Sequence, residues 1–220
     1  MASGVVITVS LALATLPIGL ALGFFIALAK QSSEWSLRTA ADIYTTIFRG
    51  LPELLNVTIL VYFGMQIAVQ QAIKAAGLNI AFEFNSFVAG VIALALVFSS
   101  YSSEVFLSAF RAIPKGQYEG GFALGIPKSK VMRLIIFPQL IKIALPGLAN
   151  LWMLLLKDTA LVSAIGLADI VRQTGVAARV TKHAFLFYGV SFTLFLVLAL
   201  LSSIVIGRIE AFGKKADQAQ

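Results

Sequence analysis

From Val5 to Ala29 the chain carries no charged side chain. A helix needs about 20 predominantly apolar residues to cross a bilayer, and this run is long enough. Three more charge-free runs follow, at Leu54–Ile73, Phe84–Ser103 and Ala184–Gly207. A further apolar region, Leu134–Ala168, is interrupted only by Lys142 and by the pair Lys157-Asp158. An ordinary soluble domain is excluded: 59% of the residues are hydrophobic and only 12% charged, where soluble proteins carry roughly 25% charged residues. A β-barrel is excluded as well, because barrel strands alternate with a period of two over about ten residues. The expected fold is all-α, with about five transmembrane helices in a single domain over 1-220. The spans fall at about 5-29, 54-73, 84-106, 139-168 and 184-207.

The first run is not expected to be a cleaved signal peptide, since it lacks a basic flank and exceeds the length of a signal core. The absence of cysteine excludes disulfides and thiolate-bound metal. A formal charge of +7 invites a nucleic-acid reading, but the basic residues do not cluster with aromatics on a soluble face. They report topology instead, because cytoplasmic loops are enriched in Lys and Arg. One set of loops holds twelve of them, from Lys30, Arg38 and Arg49, through Arg111 to Lys142, to Arg208, Lys214 and Lys215; the other holds four, Lys74, Arg172, Arg179 and Lys182. The expected orientation is N-out, C-in.

Within the first span, Pro17 interrupts the run, and Gly19 and Gly23 form a G-x-x-x-G spacing that admits a neighbouring helix closely. Packing inside the bundle is favoured over a contact between subunits. Gln31 to Asp42 reads as a polar cytoplasmic turn, and Ala75 to Glu83 as a short external loop. Leu51-Pro52 marks a helix break at the membrane edge, because the residue before a proline disfavours helical geometry. Arg49 beside it can snorkel toward headgroups. Ser99 to Glu104 is a polar run within a span. Such residues face protein or a wet cavity; serines alone can bond back to their own helix, but Tyr101 and Glu104 ask for more. Ser100, Tyr101 and Glu104 are therefore candidates for lining a cavity.

Between the third and fourth spans, about 111-138, lies a polar, basic loop with Gly116, Gly120, Gly121 and Gly125. A short helix is expected from Gln117 to Leu124, with Glu119 near its positive N-terminal end and Gly125 in the left-handed turn that closes it. Glu119-Gly120-Gly121, Gly125, Ile135 and Pro138 stand in the register of the E-A-A-x3-G-x9-I-x-L-P loop. This segment resembles that of the membrane subunits of binding-protein-dependent ABC importers. Arg49-Gly50-Leu51-Pro52, Tyr101-Ser-Ser-Glu-Val-Phe106, Gly116-Gln117, Phe137-Pro138-Gln139 and Leu156-Lys157-Asp158-Thr159 are similar to segments of the polar-amino-acid branch. Gly120, Gly121, Phe137 and Ala160 depart from the family's usual residues.

The resemblance implies a type I importer permease whose loop docks on an ATPase through Gln117, Glu119, Gly120, Gly121, Gly125 and Pro138. It implies a bacterial inner-membrane location and four kinds of partner: a cytoplasmic ABC ATPase dimer, a second permease subunit (identical or paralogous), a periplasmic or lipid-anchored solute-binding protein, and a polar, basic amino acid or opine as solute. ATP and Mg would then be held by the partner, with no cofactor or metal in this chain. The chain itself contains no G-x-x-x-x-G-K-S/T phosphate loop. It is not expected to be an enzyme. An ion-gradient-driven carrier or channel is the alternative, but carriers are commonly built from repeated halves, and none is visible here.

Lys157 and Asp158 are the ionisable pair within the fourth apolar region. Adjacent helical residues do not face each other, so each needs another partner. Salt bridges to neighbouring helices would serve, and so would the ammonium and carboxylate of an amino acid. Asp158, Lys157, Glu104, Tyr101, Ser100 and Thr159 are thus the candidate solute contacts. His183 is read as an interfacial residue without a role.

Overall fold

The computed structural model describes residues 1–76 and 85–218, and these are helical apart from short connections. Five helical stretches are long and apolar enough to cross a membrane: Ala2–Lys30, Glu53–Ala75, Ser86–Ala112, Lys128–Ile165 and Ala184–Ile209. Without water in the hydrocarbon layer, a spanning segment must satisfy its own backbone, and a helix does so.

The first helix, α1 (Ala2–Lys30), runs through Pro17 without ending. Gln31 to Glu34 make the turn, and α2 (Trp35–Gly50) follows at once. The polar turn expected over Gln31–Asp42 is therefore mostly helix. Ala41, Thr45 and Phe48 recur at helical spacing and are its buried stripe. Leu51 and Pro52 break the chain, as their sequence requires. A one-turn helix, α3 (Glu53–Leu55), then leads through a π-helical stretch, Asn56–Phe63, into α4 (Gly64–Ala75). Much of the loop expected over Ala75–Glu83, and Phe84 at the expected start of the third span, lie outside the described residues.

Asn85 caps α5 (Ser86–Ala112) by accepting from the Phe87 and Val88 amides. This helix is the axis of the bundle. Nearly every residue between Ala89 and Phe110 is buried or half-buried, and α1 packs along its length. The close approach is set by Gly19 and Gly23: a Cβ on Gly19 would lie 2.6 Å from the Phe98 ring, and one on Gly23 2.0 Å from Ser102 Oγ. The small-residue spacing thus serves packing within the chain.

After α5 comes α6 (Lys115–Ala123). α7 (Lys128–Val131) continues through π geometry at Met132–Ile136 into α8 (Phe137–Asp158). The helix tightens to a 3-10 stretch over Thr159–Ile165 and stops at Gly166, whose φ of 95° suits a residue without Cβ. α9 (Ile170–Thr181) is capped by Asp169, and α10 (Ala184–Gln218) closes the chain.

Two apolar clusters hold the bundle. In one, Val57, Leu94, Val97, Leu151 and Val162 join α4's π-helical lead-in, α5, α8 and the 3-10 stretch. In the other, Phe106, Phe110, Ile136 and Leu140 pack around Phe24, whose ring lies 5.6 Å from Phe106 and 5.8 Å from Phe137. α10 is largely exposed along its apolar side chains. In a bilayer that surface meets tails as apolar as leucine, so exposure there carries little penalty.

Candidate functional site

The polar run of α5, Ser99 to Glu104, meets several different surroundings. Its serines do not form an open lining: Ser99, Ser100, Ser102 and Ser103 are fully buried, and each hydroxyl donates to a carbonyl one turn back. Ser102 also donates to the Gly19 carbonyl of α1 at 3.2 Å. Ser100, a candidate solute contact, thus lies in a packed seam. Thr159 is likewise buried and donates to the Leu156 carbonyl at 2.7 Å.

Tyr101 and Asp158 are brought together. The Tyr101 hydroxyl donates to Glu53 Oε1 at 3.3 Å, and the Glu53 carboxyl lies close enough to the Asp158 carboxyl for the two to interact. Glu53 opens the helix just after the Pro52 break, a position where a carboxylate suits the N-terminal end of the helix dipole. Asp158 is the last residue of α8 before the chain tightens. Both are partly exposed. No ion pair among the described residues reaches either of them.

Glu104 lies on the same helix but has other company. Its Oε1 pairs with Lys30 Nζ at 2.5 Å and with Arg49 Nη1 at 3.4 Å. Lys30 in turn reaches Asp42 Oδ1 at 3.3 Å. Arg49, in the last turn of α2, also stands over the Tyr101 ring, 5.8 Å from its centroid. Lys157 points elsewhere. It is exposed and lines a cavity of about 200 Å³ with Met153, Phe192 and Phe195, between α8 and α10. The two adjacent charges therefore serve different surfaces. Glu53 was not singled out by sequence reasoning; its position beside Pro52, at the break it helps define, was the available signal.

A second constellation lies at the loop after α5. α6 starts at Lys115, so Glu119 sits beyond its first turn and away from the positive end of the dipole. Gly125 has φ +72° and closes the helix, with its amide donating to the Phe122 carbonyl at 2.9 Å and the Ile126 amide donating to Gly121 at 3.1 Å. Gly121 is buried against Val131 and Ile135. Gln117, Glu119 and Gly120 are exposed with Phe122 and Leu124, the latter 79% exposed. Gln139, next to Pro138 at the start of α8, donates to Gln117 Oε1 at 3.1 Å and ties this face to the bundle. The result is an exposed surface that carries two large apolar side chains, Phe122 and Leu124.

Residues 19–215 match the family described as the binding-protein-dependent transport system inner membrane component. The chain belongs to that family. The arginine ABC transporter permease protein ArtQ of Escherichia coli is 38% identical over 228 residues, covering 96% of this chain and 93% of the relative. The nopaline transport system permease protein NocQ of Agrobacterium fabrum is 35% identical over 220 residues, covering 100% and 93%. Among solved structures, an amino acid ABC transporter crystallised with histidines superposes with a TM-score of 0.78 at 33% identity, over 95% of this chain and 92% of that one. The inward-facing methionine transporter MetNI shares the fold, with a TM-score of 0.75 at 16% identity over 97% and 95% of the two chains. The permease is thus an ABC transporter membrane subunit that lacks an ATP-binding motif of its own.

Proposed function

We propose that the permease lines the import path for a basic amino acid or an opine, and that Glu53 and Asp158 seat the cationic group of that solute. The carrying observation is the acidic pair itself. Two carboxyls from segments far apart in sequence meet on a partly exposed face, and no protein cation pairs with them among the described residues. Ionisable groups within a membrane are expensive to keep and are associated with solute or ion pathways. A guanidinium or ammonium between the two carboxyls would offset their charge and donate to them hydrogen bonds that are roughly twice as strong as neutral ones. The names of relatives, which handle arginine and nopaline, agree with a solute carrying such a group.

Membership of the family supports a reading of the rest of the assembly. The charge bias of the loops supports an N-out, C-in orientation in the bacterial cytoplasmic membrane, which puts α6 on the cytoplasmic side. There its exposed tip, Phe122 and Leu124 beside Glu119 and Gln117, would dock on a cytoplasmic ATPase dimer that supplies ATP and Mg. A second permease, identical or paralogous, would complete the path, and a periplasmic or lipid-anchored receptor would deliver the solute. The test is uptake of labelled L-arginine into vesicles containing the full complex, with wild type compared against Asp158→Asn and Glu53→Gln. Loss of uptake with normal assembly supports the seat, and unchanged uptake in both variants refutes it.

A further inference from the structure

An unbroken series of polar contacts runs from the acidic pair to the end of α1. Asp158 meets Glu53, Tyr101 donates to Glu53, Arg49 lies over the Tyr101 ring, and Glu104 holds Arg49 and Lys30 together. The two ends of this series differ in charge balance. At the α1 end, Lys30 and Arg49 are matched by Glu104 and Asp42. At the other end, Glu53 and Asp158 are two acids with no paired cation among the described residues. Arg49 therefore stands one aromatic ring away from an unmatched acidic pair.

Little besides Glu104 holds it there. The Arg49 side chain is 45% exposed. It lies in the last turn before the Leu51-Pro52 break, and the space beside the next residue, Gly50, is open. The face of Tyr101 is a surface along which a guanidinium stays attracted as it shifts. Glu104, by contrast, is fixed, because the nearly buried Lys30 side chain, 7% exposed, is bonded to its Oε1.

We propose that Glu104 is a specificity-determining positioning residue, one that holds the Arg49 guanidinium and so keeps a tethered cation off Glu53 and Asp158. The inference rests on the reading of that pair as the seat of the solute's cationic group. A side chain tethered this close competes at a high effective concentration. When Arg49 occupies the seat, apparent solute affinity falls by the fraction of sites left open. Glu104 thus governs the affinity for cationic solutes without touching them.

The test is L-arginine binding, by calorimetry, to the assembled permease–ATPase complex in lipid nanodiscs without receptor. Glu104→Gln is expected to weaken binding about tenfold, as for a seat nine-tenths occupied by Arg49. The double variant E104Q/R49Q is expected to bind as R49Q does, within about twofold, since no guanidinium remains to be released. A merely structural role for Glu104 does not produce this rescue. If Glu104→Gln leaves binding unchanged, or the double variant binds much more weakly than R49Q, the proposal is overturned. The comparison of the double variant with R49Q carries the test even if Glu104→Gln alone does not assemble. Asp158→Asn separates the two levels. Wild-type binding by that variant overturns the seat and this proposal together, whereas weak binding by it without rescue overturns this proposal alone.

Discussion

Gly23 and Ser102 meet so closely that a Cβ on the glycine would lie 2.0 Å from the serine Oγ and 3.0 Å from the Ser99 carbonyl oxygen. Backbone blocks one side of that contact, so the clash cannot be relieved by a rotamer change alone. Gly23→Val is expected to lower the stability of the permease by about 1–3 kcal/mol, the usual range for overpacking. Thermal unfolding of the purified subunit in detergent measures it. A melting temperature equal to wild type would show that α1 and α5 are not locked here.

Gly120 and Gly121, neighbours in α6, are expected to answer differently to the same change. A Cβ at Gly120 meets nothing within 4 Å, and one at Gly121 would lie 2.7 Å from Val131 Cγ2. Gly120→Ala should stabilise the helix by about 0.5–1 kcal/mol. Gly121→Ala must push Val131 aside and should be neutral at best. Parallel melting curves of the two variants decide the ordering.

Gly125 has φ +72°, a conformation that costs a residue with a Cβ about 1–2 kcal/mol. Gly125→Asp adds a charge to that strain on the exposed face. The variant should insert normally but lose ATP-driven uptake of labelled L-arginine. Uptake at the wild-type rate would remove this turn from the transmission route.

Asp158→Asn keeps the shape of the side chain and removes its charge. A hydrogen bond to a charged group is worth about 1.5–3 kcal/mol, so arginine binding by the permease should weaken roughly ten- to hundredfold. Binding by the separate receptor protein should not change. The readout is stimulated ATPase activity at graded arginine concentrations, with assembly checked by size-exclusion chromatography.

Asp169 caps α9 through the Arg172 amide, while its Oδ2 is buried without a hydrogen-bond partner. Burial pushes its carboxyl above the usual carboxylate range. With the folded pKa raised, the folded state binds the proton more tightly than the unfolded chain does. Stability is therefore highest below the ordinary carboxylate pKa and falls as pH rises through the raised value, then levels off. Asn caps helices about as well as Asp, so Asp169→Asn should flatten this slope. Melting temperatures of both forms across the acidic range test it.

The class of fold was legible because charge-free runs of membrane-spanning length admit few structures. The turn at Gly125 was legible because its cause is local. α2 was hidden by Ser36, Arg38, Thr39 and Asp42, whose polarity masked the stripe of Ala41, Thr45 and Phe48. The serine run on α5 looked like a lining because sequence shows polarity, not the carbonyl each hydroxyl bonds. Glu53 escaped notice for a topological reason. It meets Asp158 only through the packing of distant segments, which no local spacing encodes.

Both acids of the proposed seat stand at joints rather than along rods. Glu53 follows the Leu51-Pro52 interruption, and Asp158 is the residue at which α8 gives way to a tighter coil. A cation held between them would thus tie together two places where the helical path changes character, the restart after a proline and the passage from α to 3-10 winding. Such a solute would bridge segments that the chain itself joins only through about a hundred intervening residues.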